Sequence, residues 1–179
     1  AHEWGKTVTA HVYRVDHMQK LIKYGIDGME HCSLMDEETA QMIIDHDVYV
    51  VPTFCPYEEA VHYDPVMIQT KQKEYRIKLE YYKDALQAGR EVIKNCKCKL
   101  GYGTDMVATH QNYESGYEFK AWMESGMGTF RTLHAATQVN SEILQLEDKI
   151  GTLEPGKYAD IAAWKRDLMT DPYALLDCA

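Results

Sequence analysis

The sequence predicts an α/β fold in which parallel strands alternate with helices. Three observations predict it: short apolar runs rich in β-branched residues, stretches of helical period between them, and connections too long for hairpins. Four strand and helix units are read along 1–150, joined by right-handed crossovers. Four units make half of a closed barrel or half of an open sheet, and periodicity does not choose between the two.

The first strand is expected over 6–13, where Val8, Thr9 and Val12 favour a pleated chain. A helix follows, with Met18, Leu21 and Ile22 on one face, a cap near Asp16, and Gly25 as its left-handed stop. The second strand is expected over 26–31. Asp36 then opens a second helix whose first turn is acidic, suiting the positive end of its dipole, and which buries Met42 and Ile43. Residues 48–51 form the third strand, apolar on both faces and ended by Pro52.

From about Pro65 to Cys96 the chain is charged and poor in glycine, with Ile68, Tyr75, Leu79, Tyr82 and Leu86 at helical spacing, so one long helix or two are expected. The fourth strand is read over 99–105, and helices over about 113–124 and 129–139. After Ile150 the texture changes. Pro155 and Gly156 mark a turn and 161–164 read as a short strand, so residues 151–179 are expected to begin a second, β-type unit.

Composition narrows the function. The net charge is −9, and no basic stripe of the kind that neutralises phosphates is present, which argues against nucleic acid. No apolar run approaches the roughly 18–20 residues of a membrane-spanning helix, so a soluble, cytoplasmic protein is expected. The cysteines, Cys32, Cys55, Cys96, Cys98 and Cys178, are odd in number, and the close pair has no second pair at zinc-site spacing, so reduced thiols are expected. The 179 residues are short for a whole barrel, which takes about 250, so the length suggests part of a longer chain.

His11, His31 and Asp105 each fall at or near the C-terminal end of an expected parallel strand, where barrels and open sheets alike build their sites. One strand, one helix and their loops separate His11 from His31, so the two imidazoles would leave neighbouring strands about 4.8 Å apart and one metal ion could reach both. The plainer reading stands beside this one. A strand histidine is more often a hydrogen-bonded core or loop residue, and Asp105 in Gly103-Thr104-Asp105 suits a helix cap equally well.

Thr9-Ala10-His11, the Gly25 to His31 segment, Val51-Pro52-Thr53 and Gly103-Thr104-Asp105 resemble, in order and spacing, the ends of strands five to eight in the amidohydrolase superfamily. Leu133 to Thr137 and the run from Gly151 to Ile161 resemble that family's passage from barrel to β-sandwich. The branch it looks most like holds imidazolonepropionase-like and prolidase-like (Xaa-Pro or Xaa-Arg type) dipeptidases. The resemblance implies the second half of a (β/α)8 TIM-type barrel, strands five to eight, over 1–150, and the beginning of a small β-sandwich over 151–179.

It also implies a hydrolase that cleaves the C–N bond of a small amide or cyclic amide, a dipeptide above all, by attack of a metal-activated hydroxide. His11, His31 and Asp105 would be metal ligands, the cofactor being one or two divalent ions such as zinc. Asp105 would also be catalytic, as the proton shuttle. Tyr13 and His110 would meet the substrate. The partners implied are a small-molecule or dipeptide substrate and, as a homo-oligomer, further copies of the chain. The family's upstream His-x-His pair and its bridging Lys are not in this sequence, and Tyr13-Arg14 replaces a glycine common in relatives. A catalytically incomplete fragment, or an interaction module keeping the barrel architecture, is therefore the alternative. A lyase or isomerase on a phosphate-bearing substrate is disfavoured, because Gly101 and Gly103 lie within the expected strand and form no phosphate loop.

Overall fold

The structure is a computed structural model and describes residues 1–55, 69–70, 73, 79–105 and 116–176. Strands β1 (Thr9–Val12), β2 (Gly28–His31) and β3 (Tyr49–Val51) form one parallel sheet in the order β1-β2-β3. Helix α1 (Val15–Lys23) connects the first two strands and α2 (Glu37–Asp45) the next two. Further along lie α3 (Leu79–Asn95), α4 (Tyr117–Glu124), α5 (Thr129–His134), a π-helical stretch (Ala135–Val139) and α6 (Asn140–Ile143). Each strand is shorter than the sequence predicts. Parallel pairing needs two facing ladders, and the ladders cover only these residues.

The register sorts the side chains into two faces. Thr9 pairs with Gly28, His11 with Glu30, and Glu30 with Val51, so these residues share one face. Val12, Met29 and Val50 share the other, where they are buried with Met18 and Ile22 of α1, Ile43 of α2 and Ile93 of α3. Thr9 and His11 on the first face are exposed, so the helices cover one side of the sheet and leave these two residues open.

The helix starts show how local sequence sets this up. Asp36 caps α2 as expected, its carboxylate accepting from the Thr39 N–H at 2.8 Å. In α1 the cap position is Arg14 rather than Asp16; Asp16 sits inside the first turn, where its carboxylate binds the Arg14 guanidinium. Gly25 ends that helix at φ 78°, the left-handed stop the sequence announces.

The fourth strand differs from expectation. Among the described residues it is a single parallel bridge, Val50 to Leu100, with Val50 N–H donating to Lys99 O and Gly101 N–H to Val50 O, both at 2.9 Å. A β-carbon at Gly103 would sit 2.7 Å from Val51 Cγ1, so glycine permits the close approach but offers no side chain to extend the pairing. Past Leu100, a side chain takes over as partner: Asn140 of α6 accepts from Tyr102 N–H and donates to Tyr102 O, each at 2.9 Å. Ile161 to Trp164, expected as a strand, has no strand partner among the described residues and is exposed there. The expected helical stretch before Leu79 lies largely outside the described residues, Ile68 and Tyr75 included.

Candidate functional site

Among the described residues six non-glycine residues adopt positive φ; His31 (72°), Cys32 (51°) and Thr53 (44°) stand at or just beyond the ends of strands, and Asp105 (44°) follows the Leu100 bridge by five residues. Each such residue costs on the order of 1–3 kcal/mol, so the surrounding structure must impose the conformation. Clusters of this kind mark sites where side-chain direction matters more than local comfort.

His31 shows what the strain achieves. Strand register puts it opposite Val12, on the core face. The left-handed turn at His31 and Cys32 instead brings the imidazole to His11, which belongs to the open face. His11 Nδ1 and His31 Nε2 face each other at 2.6 Å, with ring centroids 4.9 Å apart. The other nitrogen of His31, Nδ1, is 2.6 Å from Thr53 Oγ1, and the Tyr13 ring stacks on the imidazole at 5.0 Å and 15°. His31 is 1% exposed, so all of this geometry is fixed by packing.

The pair of nitrogens can do one of two things. With one proton between them they make a hydrogen bond, as the separation of 2.6 Å allows. With none, both lone pairs point at one small volume. A tetrahedral ion with bonds of about 2.0–2.1 Å needs its donors about 3.4 Å apart. The rings would have to part by roughly 0.8 Å to take it, a small adjustment for exposed His11. The donor chemistry thus fits two positions of a nitrogen-ligated metal site. Among the described residues no set of three His, Cys, Asp or Glu side chains is placed to hold an ion.

Asp105 belongs to no three-donor set among the described residues. It is exposed, and its charge is felt by Glu30, the residue paired with His11 across the ladder. Burial pushes the Glu30 carboxyl up. Asp105 adds to that rise, while the Thr9 hydroxyl, donating to Glu30 Oε1 at 3.0 Å, and His11 oppose it. His11, His31 and Tyr13 are brought together; Asp105 is felt electrostatically by Glu30; His110 lies outside the described residues. The other described histidines have ordinary surroundings: His2 bonds Asp27, His46 bonds Met42 O, and His134 stacks on Phe130.

Three residues at or behind this site escaped the sequence reading as individuals. Glu30 could have been found by strand arithmetic, since it shares the face of His11. Thr53 was visible only as part of a strand end. Glu118 had a weaker signal, an acid four residues before a tryptophan on an otherwise apolar helix face. It is fully buried, and its carboxylate accepts from Phe54 N–H and Cys55 N–H at 2.7 Å and from the Trp122 indole at 2.8 Å.

Comparison with known proteins follows the same lines. The model of the amidohydrolase family matches residues 1–178. A Xaa-Pro dipeptidase solved with methionine in its active site is 28% identical, with a TM-score of 0.81 over 98% of this chain and 43% of that one. A putative prolidase from Bifidobacterium longum is 26% identical, with a TM-score of 0.72 over 98% of this chain and 45% of that one. An uncharacterized protein of Mycobacterium tuberculosis is 38% identical over 58 residues, 32% of this chain and 16% of that protein. The chain spans less than half the length of these relatives.

Proposed function

Because the chain belongs to the amidohydrolase family, we propose that it is part of a metal-dependent hydrolase cleaving the C–N bond of a small amide, with a dipeptide as substrate. The dipeptide rests on likeness to the Xaa-Pro dipeptidase and the prolidase. In this reading residues 1–150 supply strands five to eight of the barrel and 151–179 the start of the small β domain. The observation that carries the proposal is the facing of His11 Nδ1 and His31 Nε2.

His11 and His31 would hold the ion through those atoms, and zinc suits two imidazole donors. A divalent cation bound there would polarise a carbonyl and make a water molecule acidic near neutral pH. The chain's own residues would do the rest. With its Nδ1 proton given to Thr53 Oγ1, His31 would present Nε2 as the ligand atom. Asp105 takes the proton from the attacking water and delivers it to the departing amine. Tyr13, stacked on His31, would meet the substrate carbonyl, and His110 is assigned to substrate on sequence grounds alone.

The test uses the full-length protein, stripped with a chelator and then reloaded with zinc, against a panel of dipeptides that includes Xaa-Pro. Hydrolysis should fall at least about 100-fold on stripping and return on reloading. Full activity in the stripped protein would remove the metal from the proposal. No hydrolysis of any dipeptide by the zinc-loaded protein would favour the interaction-module alternative.

A further inference from the structure

We propose that Glu118 is a positioning residue for the histidine pair, acting through the backbone of Phe54 and Cys55 and the hydroxyl of Thr53 on the His31 ring. The inference rests on the reading of His11 and His31 as metal ligands.

Pro52 ends the β3 ladder and Thr53 turns left-handed, so the next two backbone N–H groups have left the ladder. Buried N–H groups without partners are costly, and here both are taken up by one carboxylate from 63 and 64 residues away. Glu118 Oε1 accepts from Phe54 N–H and from the Trp122 indole, and Oε2 accepts from Cys55 N–H. From the other side, Arg90 of α3 donates to Phe54 O at 3.3 Å and lies over the Phe54 ring at 5.2 Å. Two helices thus clamp the peptide immediately after Thr53.

Thr53 is what the clamp fixes. Its Oγ1 lies 2.6 Å from His31 Nδ1, a bond that a shift of about 1 Å would break. With Nε2 read as a ligand atom, Nδ1 carries the proton and donates it to Thr53 Oγ1, so a Thr53 held in place favours that tautomer and keeps Nε2 turned toward His11. A side chain on α4 thus biases the tautomer of a residue on β2 through the backbone that carries Thr53. A merely structural role for Glu118 would lower stability and leave that tautomer alone.

The experiment compares full-length wild type, Glu118→Gln, Thr53→Val and the double variant. Zinc affinity is read by competition with a chromogenic chelator, and the His31 tautomer by nitrogen NMR with [15N]histidine labelling. Each single variant should lose about 10–100-fold in zinc affinity, and the double variant should be within about threefold of Thr53→Val. Glu118→Gln should also shift the His31 proton from Nδ1 toward Nε2. Multiplying losses in the double variant, or an unchanged His31 tautomer in Glu118→Gln, would overturn the proposal. Should Glu118→Gln fail to fold, Glu118→Asp keeps the charge with one methylene less reach and takes its place in the same comparison. If wild type binds no zinc, the metal reading fails on its own account, and the NMR signal still decides whether Glu118 acts on His31.

Discussion

His31 and Asp105 both occupy left-handed backbone, a conformation that non-glycine residues avoid, and the two assignments made for them call for different readouts. A ligand is read by metal content, a proton shuttle by turnover. Asp105 is exposed, and no three-donor set among the described residues includes it. Asp105→Asn in the full-length protein should lower kcat by about 100-fold or more while zinc content changes little. Turnover within a few-fold of wild type would end its role as the shuttle; loss of zinc would recast it as a ligand.

Among the elements, α3 packs tightly against the site's supporting backbone. Gly89 lies on its buried face, and a β-carbon there would come 2.1 Å from the carbonyl oxygen of Ser33 and 2.9 Å from its carbonyl carbon. Ser33 follows His31 and Cys32 directly, so the helix presses on the turn that redirects the imidazole. Gly89→Ala should destabilise the protein by about 3 kcal/mol, the upper end of overpacking costs, because backbone rather than a flexible side chain must yield. The urea midpoint would measure this, and a variant with the wild-type midpoint would show that α3 can shift without consequence. The amide of Asn140 plays a comparable part for the fourth strand. It gives Tyr102 both hydrogen bonds that a neighbouring strand would have supplied, and so sets the direction in which the chain continues to Asp105.

For the molecule as a whole, Glu118 makes stability depend on pH. Burial pushes its carboxyl up from 4.5 to about 7, against the opposing pull of the Cys55 and Phe54 N–H groups, the Trp122 indole and Arg90; Tyr102 and Cys55 also face it. Between those two values the native chain keeps a proton that the unfolded chain has released. The contribution is complete below the unfolded value and is lost as pH rises through the native one. The stability of wild type relative to Glu118→Gln should therefore decline as pH increases from about 4.5 to 7, as read by melting temperatures across that range. A difference independent of pH would mean that Glu118 titrates as an ordinary carboxylate. No helix among the described residues is long and apolar enough to cross a membrane.

The alternation of β-branched runs with helical-period stretches by itself determined the parallel order of the first three strands and the two histidines at their ends. Both follow from local rules, the period of the side chains and the length of the connections. Glycine at 101 and 103 was legible as well, but its effect was not: only the approach of Val51 shows why pairing there shrinks to one bridge. The meeting of His11 with His31 was decided by tertiary structure, since strand alternation alone would have sent His31 to the opposite face. Glu118 belongs wholly to that second class. A buried carboxylate is stable only where distant N–H groups converge on it, and convergence across more than sixty residues leaves no periodic trace in a chain.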